Sequence, residues 1–148
     1  MNREFKFRAW HKKRKKMYEV FHLHLASANI EGKIWATCKG YSVIEQKDMH
    51  IQLQPEECII MQFTGVVDCS GASINEGDII RSYDSMNHPV YHCIVYNDSV
   101  CRFEAIYHLD ENEQLNQSGG ISQTWVIEHS KLVVGNIYKN KELVKKIV

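Results

Sequence analysis

The strongest constraint on the fold of this chain is a row of turn-forming residues between Ile59 and Ile80. A β-branched run, residues 59–65, ends at a glycine, and residues 68–71 and 76–78 each combine an acid with a glycine. Glycine adopts positive φ without steric penalty, and Asp favours tight turns. Segments interrupted this often have the length of strands. We therefore predict a mainly β domain in which the last of these turns opens a strand of an SH3-like barrel.

Strand signals also precede this central stretch. In residues 4–10, Phe5, Phe7 and Ala9 alternate with charged side chains, and a period of two predicts a half-buried strand. Residues 17–21 again have strand composition, so we predict a hairpin with a basic tip. A helix across the tip is the competing interpretation, but the aromatic and β-branched flanks favour a pleated surface.

Further strands are predicted on both sides of the central stretch, over residues 34–37, 49–53, 90–96, 101–107, 125–127 and 132–134. Turns are predicted at residues 31–33, 39–40, 85–89 and 97–99. The strand 101–107 forms a second hairpin with 90–96, with Arg102 and Glu104 on its polar face. The polar composition of residues 110–120 predicts an exposed loop. Asn140 is expected to cap a short helix that starts at Lys141.

The length of 148 residues predicts a single domain, residues 1–148. Within it we expect two lobes, an N-terminal β-hairpin lobe, residues 1–55, and residues 56–148, in which central and C-terminal strands form the SH3-like barrel before a short C-terminal helix. The seam is predicted at residues 54–57. Core aromatics, each worth roughly 1.5–3 kcal/mol on burial, are predicted to be Phe5, Phe7, Trp35, Phe63, Phe103 and Trp125. Trp10 and Tyr18 are predicted to be surface residues.

Two sequence features predict the compartment. No apolar run approaches the roughly 18 residues of a membrane span, and no signal-peptide pattern is present. The five cysteines are odd in number and contain no Cys-x-x-Cys pair, which does not favour a disulfide framework. We therefore expect a cytoplasmic protein without a membrane partner.

Residue types that form catalytic or metal-binding sites in other proteins do not occur at a recognisable spacing in this sequence. His22 and His24 share a strand face, but alternation sends His92 and Cys93 to opposite faces, and no zinc-binding pattern is present. A nucleophile elbow and a glycine-rich phosphate loop are also missing from the sequence. Asp78 is explained better as a turn residue than as a general base. We therefore expect no catalytic residue, no metal and no cofactor, and a metal-dependent enzyme is only the lesser alternative.

The charge is distributed unevenly although the net charge is zero. Residues 1–17 carry a net charge of +7 and residues 139–148 a net charge of +3, whereas residues 18–138 carry −10. A separation of this size steers association. The expected function is a non-catalytic protein-interaction or assembly module. Its partner is another protein or another copy of the chain, whose acidic middle receives the basic ends.

Nucleic-acid binding is the alternative function. Five consecutive basic residues flanked by two aromatic residues suit phosphate contacts combined with base stacking. The candidate residues are Trp10, Lys12, Lys13, Arg14, Lys15, Lys16 and Tyr18. A lysine-rich turn is more often a solvated turn, and the acidic middle of the chain opposes a nucleic-acid backbone.

Three motifs in order along the chain resemble the YopX family of phage and prophage proteins. They are Met-Gln-Phe-Thr-Gly at 61–65 with Glu-Gly-Asp at 76–78, Lys-Phe-Arg-Ala-Trp at 6–10 with Lys-Lys-Met-Tyr at 15–18, and Val-Val-Gly-Asn-Ile-Tyr at 133–138. The chain departs from the typical pattern at His11, where an acid is usual, and at Lys141, where a proline is usual. The resemblance implies a phage-borne accessory protein that acts in the host-cell cytoplasm, with a phage or host protein as its partner, but it implies no particular chemistry.

Overall fold

Antiparallel β-strands dominate the computed structural model, which describes residues 4–25, 34–42, 47–106, 118–128, 130–145 and 147. The mainly β prediction is confirmed. Contacts divide the chain into two units, residues 4–62 and residues 63–148. The boundary falls inside a strand, β5 (Cys58–Val67), whose first half belongs to one unit and whose second half belongs to the other.

The first unit is a sheet built from β1 (Phe7–His11), β2 (Lys16–Leu25), β3 (Ile34–Ser42), β4 (Lys47–Leu53) and the start of β5. Their order is β4-β3-β2-β1-β5, with every neighbouring pair antiparallel. Strands β1 and β2 form the predicted hairpin, so the competing helix is wrong. The turn predicted at residues 39–40 is also wrong, since Lys39 and Gly40 pair with β4 inside β3. The turn predicted at 31–33 lies outside the described residues.

The core of the first unit contains small and aliphatic side chains as well as one tyrosine. Its buried members are Ala9, Tyr18, Ala36, Cys38, Leu53 and Cys58. The prediction that Phe5 is a core residue is wrong, because Phe5 precedes the first strand and is 62% exposed. Phe7, at the start of β1, is half-buried. The side chain of Trp35 lies outside the described part of the chain.

The second unit is made of short elements, and several of them begin or end at the predicted turns. They are β6 (Ser73–Asn75), β7 (Asp78–Tyr83), β8 (Pro89–Asn97), β9 (Arg102–Ile106), β10 (Ser118–Gly120), α1 (Gln123–Glu128), β11 (Leu132–Asn136) and α2 (Lys141–Val144), together with the second half of β5. The order β10-β9-β8-β7-β11 forms a five-stranded antiparallel sheet. The hairpin of β8 and β9 is confirmed, and closure into an SH3-like barrel stays a prediction.

Both faces of this five-stranded sheet are covered within the second unit. Ile80, Ile94 and Ala105 pack on one side against Val126 of α1 and residues from β5 and β6. Ile79 and Cys93 pack on the other side against residues of α2 and the C-terminal Ile147. The covering elements come from before the sheet (β5 and β6), from between its strands (α1) and from after it (α2), so the core of this unit joins distant parts of its sequence.

The structure corrects two local predictions in this part of the unit. Residues 125–127 belong to helix α1 and not to a strand, because the Ser122 hydroxyl accepts a hydrogen bond from the Trp125 amide at 3.1 Å and starts a helical turn. A run of three apolar residues cannot distinguish the two alternatives. Residues 118–120, predicted to be part of a loop, form β10, and residues 110–117 of that loop lie outside the described residues.

At two glycines where the sequence predicts the end of a strand or a turn, the structure gives different outcomes. Gly65 has a φ of +89° but does not end β5, which continues to Val67 through an irregularity in its pairing with β6. The prediction that the run ends at Gly65 is therefore wrong. Gly77, with a φ of +75°, forms the predicted turn into β7.

The short C-terminal helix is confirmed, but its cap differs from the prediction. The Asn140 side chain makes no cap hydrogen bond to the helix. Its Oδ1 atom accepts a hydrogen bond from the Asn136 amide at 3.1 Å, and the Asn140 carbonyl accepts one from the Leu143 amide. No helix in the described part of the chain is long and apolar enough to cross a membrane.

Asp68 fixes the predicted turn at residues 68–71 to the last strand. One carboxylate oxygen accepts hydrogen bonds from the amides of Ser70 and Ala72 and from the Ser70 hydroxyl, and the other accepts one from the Val133 amide at 2.9 Å. Burial raises the pKa of this carboxyl group, but these hydrogen bonds outweigh burial and hold the pKa below its usual range.

We expect Asp68→Asn to lower the free energy of unfolding at pH 7 by about 1–3 kcal/mol, because an amide group then faces a backbone donor. The contribution of the ionised carboxylate is fully present above pH about 4, the unfolded value, and is lost as pH falls through the lower folded pKa. The difference between the proteins should therefore shrink in acid. Urea unfolding at pH 7 and pH 3 measures this. Asp98→Asn, an exposed turn substitution, is the matched control and should change stability by less than about 0.5 kcal/mol. Equal stability of Asp68→Asn and wild type at pH 7 would contradict the assignment.

The five cysteines should differ sharply in reactivity. Cys69 and Cys101 are exposed, whereas Cys38, Cys58 and Cys93 are buried. Burial raises the pKa of Cys38 to about 11, that of Cys93 to about 12, and that of Cys58 above its usual value. We expect iodoacetamide at pH 8 to modify two cysteines in the native protein and all five in urea, as measured by peptide mass spectrometry. Native labelling of Cys38 or Cys93 would contradict this prediction.

Candidate functional site

The basic tip, defined as residues 12–16, projects at the turn between β1 and β2. All five of its residues are exposed, namely Lys12, Lys13, Arg14, Lys15 and Lys16. The run has no apolar residue, so nothing in it favours burial, and the flanking strands determine where it lies. The structure therefore confirms the hairpin tip as a concentrated, accessible positive charge.

The backbone of the basic tip is held by His11. The Arg14 amide donates to His11 Nδ1 at 3.4 Å, and the Lys15 amide donates to the His11 carbonyl at 2.9 Å. On the other side, the Lys12 amide donates to the Glu57 carbonyl at 2.8 Å. Lys15 has a φ of +52°, a left-handed conformation that closes the turn. The charges are thus presented on a fixed framework.

The two aromatic candidates do not belong to the accessible site. Trp10 is 5% exposed and Tyr18 is 6% exposed, so their prediction as surface residues is wrong. Ala9, Trp10 and His11 are consecutive and all buried, which means that neither face of β1 is open to solvent. Alternation in the sequence indicates two faces, but it does not indicate that both are covered.

Tyr18 contributes to the basic tip in a different way. Arg14 Nη1 lies 3.5 Å from the Tyr18 hydroxyl, and Lys16 Nζ lies 5.3 Å from the centroid of the Tyr18 ring. Both contacts hold basic side chains against the ring. A ring used in this way, and buried, is not available to stack on a nucleic-acid base.

The side chains of the basic tip differ in their hydrogen bonds and ion pairs. Lys12 Nζ donates to the Glu56 carbonyl at 3.1 Å. Within the described residues, no ion pair joins Lys13, Arg14 or Lys15 to a carboxylate. These three residues therefore carry the charge that a partner would meet.

The acidic middle of the chain is less acidic at its surface than its net charge of −10 indicates. Asp68, Asp78 and Glu104 are each at most 4% exposed. Each accepts hydrogen bonds from neighbouring residues. In particular, Glu104 shares a strand face with exposed Arg102, as the alternation predicts, but Glu104 is only 1% exposed. The repulsion expected for a polyanion is reduced accordingly.

The histidines do not gather into a site. His22 and His24 share a face of β2, with ring centroids 6.3 Å apart, and His24 Nε2 lies 2.9 Å from the Thr37 hydroxyl. His92 packs its ring edge on Trp125, and Cys93 lies on the opposite face of β8. In the parts of the chain that the structure describes, no three ligand side chains are placed to hold a metal ion.

Sequence reasoning missed a polar cluster inside the second unit. The Ser82 hydroxyl and His92 Nε2 are 2.9 Å apart and both residues are buried, while Lys131 Nζ lies 4.0 Å from the centroid of the Trp125 ring. Burial lowers the pKa of Lys131. Because Ser82, His92 and Lys131 are all buried, their contacts join β7, β8 and α1. No pattern in the sequence indicates this cluster.

Sequence reasoning also missed a cleft of about 310 Å³ in the second unit. It is lined by Thr64, Tyr96, Cys101, Arg102, Phe103, Gly120 and Ile121. These residues come from β5, the β8–β9 hairpin and the segment around β10, so only the folded chain brings them together. The single usable signal was Arg102 two residues before Glu104, a spacing that places both on one side of a strand.

Comparisons with known proteins agree with the motifs in the sequence. Among solved structures, the chain is similar to protein EF1440 from Enterococcus faecalis, with 25% sequence identity and a TM-score of 0.64 over 97% of this chain and 99% of that chain. No curated protein matches the chain. A family model described as YopX protein matches residues 6–145. Because that match spans nearly its whole length, the chain belongs to the YopX family.

Proposed function

We propose that the chain is a non-catalytic binding module of phage or prophage origin that docks through its basic tip on an acidic protein surface. The observation that carries the proposal is the presentation of Lys13, Arg14 and Lys15 on a turn whose backbone is already fixed by His11 and Glu57. A fixed turn loses little conformational freedom on binding, so its charges act at low entropic cost. We place this activity in the host cytoplasm, where thiols such as Cys38 and Cys93 remain reduced.

A second copy of the chain offers a suitable acidic surface. Residues 63–148 contain eleven Asp or Glu and seven Lys or Arg, a net charge of −4. Several of these acids are exposed, among them Asp84, Asp98, Glu128 and Glu142. Complementary charges on the two surfaces favour a defined homo-oligomer.

We also infer that the five-stranded sheet of the second unit is the framework of an SH3-like barrel. The last strand, β11, pairs with the first, β7, while β8, β9 and β10 follow β7 as a meander. This return of the last strand to the first supports a barrel-like winding. The fold supplies a scaffold and does not decide the function.

We expect the wild-type protein to form a defined oligomer that dissociates as ionic strength rises. Lys13→Ala/Arg14→Ala/Lys15→Ala should weaken self-association by at least about tenfold at 50 mM salt and by much less at 500 mM salt, because the charges are screened there. Analytical ultracentrifugation over a concentration series measures this.

The matched control changes net charge equally at the other basic end of the chain. Lys139→Ala/Lys141→Ala/Lys145→Ala removes three exposed lysines and should leave self-association within about twofold if the basic tip is the contact. Equal weakening by both triple variants would show a general charge effect. A wild-type monomer at every concentration would refute self-docking and leave an acidic host or phage protein as the partner.

Nucleic acid is the second candidate, favoured by the same three exposed basic residues. Since Trp10 and Tyr18 are buried, we expect contact with phosphates only. The logarithm of the binding constant should fall with the logarithm of salt concentration, and the triple variant of the basic tip should reduce that slope by about 2–3 on duplex DNA. Filter binding with duplex and single-stranded DNA measures both.

Trp10→Leu distinguishes phosphate contact from stacking. Truncation of this buried ring should cost about 3 kcal/mol of unfolding free energy and leave the salt slope unchanged. Loss of single-strand binding by folded Trp10→Leu, with duplex binding intact, would contradict the burial of the ring.

A further inference from the structure

One arginine of the five-stranded sheet lies where the cover on one sheet face ends. On the face that packs against α2, Ile79 and Cys93 are buried, and Arg81 is the next residue of β7 on that face. The Arg81 side chain is half-buried, and Tyr83, two residues further along β7, is 45% exposed. The cover provided by the C-terminal residues therefore does not reach the end of β7.

The register of β8, β7 and β11 gives Arg81 uncharged neighbours on this face. Tyr91 of β8 lies directly opposite Arg81 on one side, and Leu132 of β11 lies opposite it on the other. Within β7, Arg81 Cζ is 5.4 Å from the centroid of the Tyr83 ring. Residues that lie opposite each other in an antiparallel pair share a face. These four side chains therefore form one patch, the Arg81 patch (Arg81, Tyr83, Tyr91 and Leu132).

The positive charge of Arg81 is not balanced by the strands that hold it. Its Nε atom is buried and has no hydrogen-bond partner among the described residues, and no carboxylate among them forms an ion pair with it. Arg81 is the only Lys or Arg in β7, β8 and β11. The single acid of these strands, Asp78, accepts hydrogen bonds from Asn75 and Asn136 instead. Folded proteins satisfy most buried donors, so an exception of this kind needs a physical explanation.

The outer end of the Arg81 side chain can receive an acceptor. Nε is the only one of its three nitrogens that is buried without a partner in the described structure. Nη1 and Nη2 each carry two N–H donors, and all of them lie in one plane. A carboxylate, whose two oxygens also lie in one plane, accepts from both nitrogens at once. The Tyr83 ring already holds the guanidinium group, so little side-chain freedom is lost on binding.

Charge and composition favour a carboxylate of a protein over a phosphate. Residues 63–148 carry a net charge of −4, so the unit as a whole repels a nucleic-acid backbone. One arginine balances a single carboxylate, whereas a phosphate group on a protein carries nearly twice that charge. Arg and Tyr are also the residue types that dominate the binding energy at the centres of protein–protein interfaces.

We propose that the Arg81 patch is a docking site for an acidic segment of another protein. One Asp or Glu side chain of that segment accepts hydrogen bonds from Nη1 and Nη2 of Arg81, and a flanking apolar side chain covers the exposed Tyr83 ring. The Arg81 patch belongs to the second unit and the basic tip to the first, so the proposal does not rest on docking by the basic tip.

The experiment measures, by mass spectrometry, the retention of two nonapeptide libraries on the immobilised whole protein. Both libraries have capped ends and the same randomised apolar and uncharged flanks, and they differ only in a central Glu or Gln. These residues have nearly the same shape but differ in charge. Wild-type protein should retain the Glu library at least about tenfold more than the Gln library, because only the carboxylate forms charge-assisted hydrogen bonds. Arg81→Met, which keeps an apolar stem and removes the guanidinium group, should lower this ratio to about 1.

Matched variants show whether the effect belongs to the Arg81 patch. Arg81→Lys keeps the charge and removes the planar fork, so the ratio should fall to about threefold. Arg102→Lys makes the same change at another partly exposed arginine of the second unit and should leave the ratio within about twofold of wild type. The triple variant of the basic tip should also leave it within about twofold, so this proposal and docking by the basic tip can fail separately.

Stability separates a binding role of Arg81 from a structural one. Since its Nε atom is buried without an acceptor in the described part of the chain, Arg81→Met should leave the urea midpoint of unfolding unchanged or raise it. A lower midpoint is the result expected of an arginine that only supports the packing of its neighbours, and it would count against the proposal.

Four other results would overturn the proposal. Equal retention of the two libraries by wild-type protein would show that no carboxylate is recognised. A ratio that persists in Arg81→Met would place the carboxylate elsewhere on the protein. Stronger retention of a third library with a central phosphoserine would make the patch a phosphate site. Loss of self-association in Arg81→Met, measured by analytical ultracentrifugation, would make a second copy of the chain the occupant.

Discussion

Buried carboxylates join the turns of the second unit to its last strand. Asp68 binds the Val133 amide, and Asp78 binds the Asn75 amide at 2.8 Å and Asn136 Nδ2 at 3.5 Å. Both acids therefore connect the central stretch to β11, more than 50 residues later. Hydrogen bonds to a charged group stabilise by roughly 1.5–3 kcal/mol, and leaving such a group buried without partners costs more. The pairing of β11 with β7, and with it the covering of both sheet faces, depends on these contacts.

The same acids explain why net charge is a poor guide to the surface of this protein. Counted along the sequence, Asp68, Asp78 and Glu104 add three negative charges to the acidic middle. In the structure they satisfy backbone amides, an asparagine and an arginine. Among the described residues of the second unit, the exposed acids Asp84, Asp98, Glu128 and Glu142 lie in turns and at helix ends, and the basic tip is exposed throughout. Surface electrostatics thus favour the basic tip more than the sequence indicates.

The sequence predicted the parts of the fold that depend on local signals. Turn chemistry at residues 68–71 and 76–78 and the hairpins of β1–β2 and β8–β9 were predictable, because glycine, Asp and period-two alternation act over a few residues. Burial was less predictable, as Phe5 and Trp10 demonstrate, since it depends on whether a second layer covers a strand. Helix α1 was missed because three apolar residues suit a strand equally well.

The two candidate sites also differ in how far local sequence signals can predict them. The basic tip consists of consecutive residues, so its position at a turn was sufficient to predict it. The cleft combines residues as distant in sequence as Thr64 and Gly120, and its central pair was taken for a polar strand face. Arg102 and Glu104 share a face of β9 by their spacing alone, but only the sheet register places Glu104 between Val95 of β8 and Gly120 of β10. A site of that kind follows from tertiary structure and not from any motif.

The two departures from the typical YopX pattern leave the backbone intact and change the charge. His11 Nδ1 accepts the Arg14 amide, a role that a carboxylate at this position would also fill. Lys141 is the first residue of α2, where proline is favoured because its missing N–H is not needed. Histidine instead of an acid removes a negative charge from the base of the basic tip, and lysine instead of proline adds a positive charge near the C-terminus. Both changes make the ends of this chain more positive, and the one at His11 raises the positive potential at the basic tip, on which the proposed docking depends.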